Sequence, residues 1–283
     1  MMNGLVLEGG GMRGLFTAGI LDVWMEHGVQ FDGIIGVSAG ATFGCNYVSK
    51  QPGRVLRYQL RYIHDDRYMS FRSLLRTGDL VGATFAYHYL PTHLDLFDFE
   101  TFRRSQTQFH VVCTDAERGT PVYRRLTQMN DEELDWMRAS ASMPLVSRPV
   151  KLGGLQLLDG GISDSIPLQH FQQEGFQRNV VILTQPLGFR KKRTLLMPLF
   201  QLFMRRYPTI VRAMSRRHKM YNAQLDYLQE QVSQGNTLLV APTQAIPIGR
   251  TERNAQKIQF VYDMGRRMGE EALQQVKEFL CKE

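Results

Sequence analysis

Gly4-Leu5-Val6-Leu7-Glu8-Gly9-Gly10-Gly11-Met12-Arg13-Gly14 runs from a short apolar stretch into a glycine cluster, and the segment behind it carries Phe16, Gly19, Ile20, Val23 and Trp24 at helical spacing. The pattern predicts a strand, a glycine loop and a helix. Gly28 stops the helix, residues 31–37 form a second apolar run, and Ser38 stands where that run gives way to small residues and a further predicted helix. A strand, a helix and a second strand joined by short connections predict a parallel pair with both loops at one carboxyl edge. The fold class is therefore read as α/β, with a largely parallel sheet.

Working outward, residues 109–113 and 180–183 are apolar, β-branched runs of buried-strand length, and residues 237–240 read as a late strand. Residues 131–138 read as a helix with acidic residues in its first turn, and Gly153 and Gly154 mark a tight turn before Asp159. Thr251 is placed as the cap of a last long helix whose stripe includes Ile258, Val261, Met268, Val276 and Phe279. Residues 54–104 are read only as helical and loop-rich.

At 283 residues and 43% hydrophobic composition, the chain can bury a full-sized core. No low-complexity tract or internal repeat offers a boundary, so residues 1–283 are expected to form a single domain. Its motif-bearing core spans about 4–168, followed by C-terminal strands and helices at 169–283. Cys45, Cys113 and Cys281 lie far apart without metal-ligand spacing and are read as small buried hydrophobes; no metal or cofactor is expected. No signal peptide is read at the N-terminus, and the apolar run at 195–204 is too short to span a membrane. A cytoplasmic location is expected. The formal charge of +7 is concentrated: residues 175–225 hold eleven Lys or Arg and no Asp or Glu, which leaves the remainder net acidic. Such a local basic surface argues against a nucleic-acid partner.

Three motifs carry chemistry. Gly9-Gly10-Gly11-Met12-Arg13-Gly14 between a strand and a helix lets unpaired backbone N–H groups converge on an anion, either a pyrophosphate or the oxyanion of an acyl-transfer intermediate. Gly9, Gly11 and Gly14 formally match the dinucleotide pattern, which further demands an acidic residue at the far end of the second strand. Asp32, the nearby candidate, stands at that strand's start and would point away from the ligand. Gly36-Val37-Ser38-Ala39-Gly40 fits the nucleophile elbow, in which a serine on a strained strand-to-helix turn exposes its Oγ and flanking glycines leave room for adjoining elements. Asp159-Gly160-Gly161 taken alone is a common turn. His170 and His218 follow Asp159 with no local signature of a triad.

Together GGGMRG, then GVSAG about two dozen residues later, then DGG well downstream, with Ala139-Ser140-Ala141-Ser142-Met143-Pro144 before the aspartate, resemble the patatin-like phospholipase family, in particular bacterial members. The resemblance covers roughly residues 4–167 and departs at Ser165, where relatives often carry Asn. It implies a three-layer α/β/α sandwich and a Ser38–Asp159 dyad that hydrolyses fatty-acyl esters of lipids, in the manner of a phospholipase A or lysophospholipase. The oxyanion would rest in the loop from Gly9 to Gly14, on the amides of Gly10, Gly11 and Met12. Gly36 and Gly40 would shape the elbow, Gly160 and Gly161 the aspartate turn. Two other readings are kept: a Rossmann-type dinucleotide-binding oxidoreductase, and a catalytically silent lipid-binding module on the same fold.

Basic segment 190–219 adds an expectation about partners. Phe203, Tyr207, Ile210, Met214 and Tyr221 recur at helical spacing, with Arg205, Arg212, Arg216 and Lys219 on another face and Pro208 starting or kinking the helix. One reading is a core-packed helix with a solvated charged face. The other is a peripheral contact with anionic membrane, at its inner face, helped by Leu195, Leu196, Leu199 and Phe200.

Overall fold

In β1 (Asn3–Leu7), Leu5 and Leu7 join one apolar cluster while Val6 joins another. Side chains two residues apart share a face, so a strand that buries both sets must be covered on both sides. The computed structural model describes residues 1–281. A 3₁₀ turn at Gly11–Arg13 leads into α1 (Gly14–Glu26), then β2 (Gly33–Val37), α2 (Ala39–Val48), α3 (Arg54–Tyr62) and α4 (Phe71–Thr77). A π-helix at Thr84–Leu94 and α5 (Phe99–Arg104) complete the stretch read as helical and loop-rich. Next come β3 (Gln108–Asp115), β4 (Pro121–Leu126), α6 (Asp131–Ser140), β5 (Val150–Leu152), β6 (Leu155–Asp159), α7 (Leu168–Gln173) and β7 (Arg178–Ile182). The chain ends with α8 (Met197–Phe203), α9 (Pro208–Ser233), β8 (Thr237–Val240) and α10 (Ala255–Cys281).

The sheet runs β5-β6-β3-β2-β1-β7-β8, with β4 paired to β3. Strands β3, β2, β1, β7 and β8 are mutually parallel, while β4, β5 and β6 form the antiparallel margin. Buried residues of α1, α2, α3, α6 and α10 share a cluster with Leu5, Leu7 and Ile34, and those of α7 and α9 share one with Val6, Ile35 and Val37. This is the expected α/β/α layering around a mostly parallel sheet. Strands read at 109–113, 180–183 and 237–240 are β3, β7 and β8, and Gly153-Gly154 is the turn of the β5–β6 hairpin.

Register along β3 positions the site. β2 pairs with β3 up to Val37 opposite Val112, and β6 arrives antiparallel with Asp159 opposite the next residue, Cys113. Because β4 occupies the other edge of β3 at both positions, the ends of β2 and β6 meet head-on along one edge.

Four expectations need correction. Helix α10 is capped by Asn254, whose Oδ1 accepts from Lys257 N at 3.0 Å, and not by Thr251 three residues earlier. Pro208 opens α9, one of the two outcomes read for it and a place where a missing N–H costs nothing, but Phe203 and Tyr207 lie outside that helix, so the segment is two helices. Ile210 and Tyr221 are buried as read, but Phe203 is exposed and Phe200 buried against Met197, Met204 and Ile210. Cys45 and Cys113 are buried, whereas Cys281 is exposed. Helix α10 lies so close on α1 that a Cβ on Gly265 would stand 2.0 Å from the Phe16 carbonyl oxygen. Trp24 fixes the crossing by donating Nε1–H to the Gly269 carbonyl at 3.1 Å. Among the described residues, no helix is long and apolar enough to cross a membrane.

Candidate active site

Leu7 stands opposite Gly36 in the β1–β2 pair, so the glycine loop and Ser38 leave the sheet at the same edge. Asp32 sits at the opposite edge, accepting the Asn3 amide at 2.6 Å, and so cannot serve a ligand held by the loop. Gly11 has φ +58°, a conformation side-chain-bearing residues rarely adopt, and a Cβ there would lie 2.7 Å from the Arg250 carbonyl oxygen. Gly9 lies against Ser38 itself, and Gly14 lets α1 pack on Ala39 at the start of α2. Of the three amides expected to face an oxyanion, that of Met12 is taken, donating to the Arg250 carbonyl at 3.1 Å. Those of Gly10 and Gly11 have no partner among the described residues, and both glycines line the cavity that holds Ser38.

Ser38 adopts φ 54°, ψ −120° between β2 and α2. A non-glycine residue in such a region is strained by about 1–3 kcal/mol and persists only where its surroundings hold it. Here Ser38 N donates to Ser140 Oγ at 3.0 Å, and Ser140 Oγ–H donates in turn to the Val112 carbonyl at 2.7 Å. Gly36 and Gly40 are required by approach: a Cβ on Gly40 would lie 2.4 Å from Leu7 O, and one on Gly36 2.6 Å from Ala41.

Asp159, at the end of β6, is buried, and its amide donates to the Ser142 carbonyl at 2.8 Å. Segment 139–144 thus ties the turns of Ser38 and Asp159 together through Ser140 and Ser142. Gly161 N donates to Asp159 Oδ1 at 2.8 Å, and Gly160 packs against the Val112 carbonyl with no room for a side chain. Burial raises the Asp159 carboxyl above the usual carboxylate range, opposed by a hydrogen bond from the Ser38 side chain, the positive charge of Arg217, the Gly161 amide and the charge of Arg250. Ser38 and Asp159 thus line one cavity, and burial moves the carboxyl toward neutrality. His170 stacks on Tyr123, and among the described residues no histidine lines the cavities at Ser38.

Two cavities share Ser38 and Gly11. One, of about 190 Å³, is lined chiefly by apolar groups such as Phe43, Tyr58, Leu80, Leu90 and Met137. It opens among the helices of residues 54–104, and its apolar lining suits an acyl chain. The other, of about 30 Å³, is lined by Glu8, Asp159 and four cationic side chains, Arg13, Lys191, Arg217 and Arg250.

Several of these groups escaped the sequence reading. Glu8, buried at the end of β1, accepts from Tyr221 Oη at 2.7 Å and from Thr184 N at 2.6 Å, which binds the glycine loop to α9 and β7. Arg217 of α9 donates Nε–H to the Gly161 carbonyl, which Ser165 Oγ also approaches at 2.8 Å, so the aspartate turn is held from α9. The sequence signal for Arg217 and Lys191 was the acid-free stretch, but periodicity assigned its charge to the outer face alone.

A family profile described as patatin-like phospholipase matches residues 5–171, and one described as a domain of unknown function (DUF6363) matches residues 207–281. The chain is 34% identical over 187 residues to the uncharacterized protein YjjU of Escherichia coli, covering 64% of this chain and 52% of that one. It is 25% identical over 183 residues to lysophospholipase NTE1 of Candida albicans, covering 63% of this chain and 13% of that one. A crystal structure of VipD from Legionella pneumophila superposes with a TM-score of 0.41 at 13% identity, covering 95% of this chain and 67% of that one. The matched region thus corresponds to about half of YjjU and a small part of NTE1. Because the first profile spans more than half of the sequence and includes both Ser38 and Asp159, the chain belongs to the patatin-like phospholipase family.

Proposed function

We propose that this protein is a serine acyl hydrolase that cleaves fatty-acyl esters of lipids through Ser38 and Asp159, as a phospholipase A or lysophospholipase does. One observation supports the reading: the ends of β2 and β6 meet on β3, so Ser38 and Asp159 line one small cavity beside a larger apolar one that also reaches Ser38. Ser38 Oγ attacks the ester carbonyl while its proton passes to Asp159. The oxyanion is received by the free amides of Gly10 and Gly11. Asp159 returns the proton to the departing alcohol, leaving an acyl-enzyme on Ser38. Water then gives a proton to Asp159 and attacks the acyl carbon, and the fatty acid leaves as Ser38 regains its hydrogen. No step uses a metal or cofactor.

Residues beyond the first family match support treating the chain as one catalytic unit: β7 and β8 extend the sheet, α10 covers α1, and Arg217 holds the aspartate turn. For a bilayer substrate, the surface that fits is the exposed apolar group of Leu195 (94% exposed), Leu196, Leu199, Leu202 and Phe203, flanked by Lys192, Arg193, Arg205 and Arg206. Such a patch suits peripheral docking on anionic lipid from the cytoplasmic side. The test is hydrolysis of a short-chain p-nitrophenyl ester and of a monoacyl phospholipid by wild type and Ser38→Ala. Turnover of both by wild type and neither by the variant is expected. A variant that keeps a tenth of the activity removes Ser38 from the chemistry, and lipid binding without turnover would indicate the silent module.

A further inference from the structure

The cavity of about 30 Å³ holds Ser38, Asp159 and the Gly10–Gly11 loop, but the four cationic side chains that also line it are not needed for ester cleavage as such. They come from four places: Arg13 from the glycine loop, Lys191 from the loop after β7, Arg217 from α9, and Arg250 from the loop before α10. Three of the four lie beyond the part of the chain matched by the phospholipase profile. We propose that this cavity is a subsite for a phosphate group on the substrate, so that the enzyme selects acyl esters carrying an exposed phosphate close to the scissile bond. The inference rests on the acyl-hydrolase reading above and adds the substrate class.

Charge and hydrogen bonding leave the cavity short of an anion. Its two carboxylates already accept hydrogen bonds: Glu8 from Tyr221 Oη, Thr184 N and Thr184 Oγ, and Asp159 from the Gly161 amide. Four basic side chains then face two carboxylates. Arg13 Nε is buried with no hydrogen-bond partner among the described residues. Lys191 Nζ lies 4.2 Å from the centre of the Tyr221 ring, and among the described residues no salt bridge joins it to a carboxylate. Burial beside Arg217, Arg250 and Arg13 lowers the Lys191 ammonium to about 7, the state expected of a cation held among cations. A bound dianion would relieve both the repulsion and the empty donor.

Position and size narrow the ligand. The apolar cavity and this one share Ser38 and Gly11, so an ester carbonyl at Ser38 can direct its acyl chain into the first and a neighbouring phosphate into the second. The space is small, about 30 Å³, and its cationic lining favours an anion over a cationic head group, which the four basic side chains would repel. Free inorganic phosphate offers the same chemistry, and the experiment must separate the two sources.

The test compares kcat/KM for a monoacylglycerol phosphate monoester and the same monoacylglycerol without phosphate, in wild type, Lys191→Met and Arg250→Gln. Calorimetry with inorganic phosphate on the same three proteins gives a readout independent of turnover. Wild type should favour the phosphorylated ester at least tenfold, both variants should lose most of that ratio, and the phosphate affinity of the wild-type cavity should fall with it. Near-equal turnover of the two esters, or a preference unchanged in both variants, overturns the inference while leaving Ser38 chemistry intact. Phosphate binding that depends on Lys191 and Arg250 without any ester preference assigns the cavity to the free ion and overturns the lipid-phosphate assignment. If neither ester is cleaved, the hydrolase reading fails by itself, and phosphate binding insensitive to both substitutions also removes the anion site.

Discussion

Gly11→Ala separates the catalytic demand on the glycine loop from its conformational demand, provided it is paired with Gly28→Ala. Both glycines have left-handed backbone, φ +58° at Gly11 and +67° at Gly28. Alanine in that region costs roughly 1–2 kcal/mol, so both variants should lose about that much stability in urea titration. Their surroundings differ. Nothing lies within 4 Å of a Cβ on Gly28, whereas one on Gly11 would stand 2.7 Å from the Arg250 carbonyl and 3.2 Å from its Cβ. That carbonyl accepts the Met12 amide, so relieving the clash shifts the turn that aims the Gly10 and Gly11 amides. Losing one such donor costs roughly 10²–10³ in kcat, or about 3–4 kcal/mol of transition-state stabilisation. Gly11→Ala should therefore lose about a hundredfold or more in kcat on a p-nitrophenyl ester, with Gly28→Ala within about twofold of wild type at equal stability loss. A Gly11→Ala enzyme that keeps a third of its kcat, or a Gly28→Ala enzyme that loses as much as Gly11→Ala, would refute the oxyanion role of the loop.

Asp159→Asn should lower turnover by orders of magnitude. In wild type the raised Asp159 pKa should place the acid limb of kcat/KM above the usual carboxylate range, activity falling as pH drops through it because the protonated acid cannot accept the Ser38 proton; an acid limb at ordinary carboxylate pH would contradict this. Since the folded pKa is raised, ionised Asp159 opposes folding at neutral pH, so the same variant should show no loss of Tm there. Gly265→Ala should destabilise by about 1–3 kcal/mol, because its Cβ would meet the Phe16 carbonyl at 2.0 Å and both helix backbones must move apart; an unchanged urea midpoint would show the crossing to be loose. Arg205, Arg212 and Arg216 changed together to Glu should reduce sedimentation with anionic vesicles while sparing hydrolysis of a soluble ester, and unchanged sedimentation would place the membrane contact elsewhere.

The elements that sequence revealed are those whose periodicity or local chemistry is self-contained. The parallel β1–β2 pair followed from two apolar runs around a helix of regular spacing, and the elbow from glycines whose Cβ atoms would strike Leu7 and Ala41. Residues 54–104 resisted because their structure is short helices and a π-helix around a cavity, an arrangement with no single period. The cap of α10 was misplaced because Thr251 and Asn254 are both good capping types and only the observed turn decides between them. Site residues contributed by distant segments were invisible for another reason. Glu8 and Arg217 act through Tyr221, Gly161 and Asp159, contacts made only once α9 lies across the sheet. A helical stripe read through Pro208 could not phase Arg205 with α9, because the break before α9 resets it, and periodicity alone did not single out Arg217 among the arginines of α9.

The most direct test of Ser38 as nucleophile is covalent labelling with a fluorophosphonate, read by intact mass and by the modified peptide. A single adduct on Ser38 is predicted, absent in Ser38→Ala and much slower in Asp159→Asn, where nothing accepts the hydroxyl proton. Equal labelling of Ser38→Ala, or an adduct on Ser140 or Ser165 in the wild type, would contradict it.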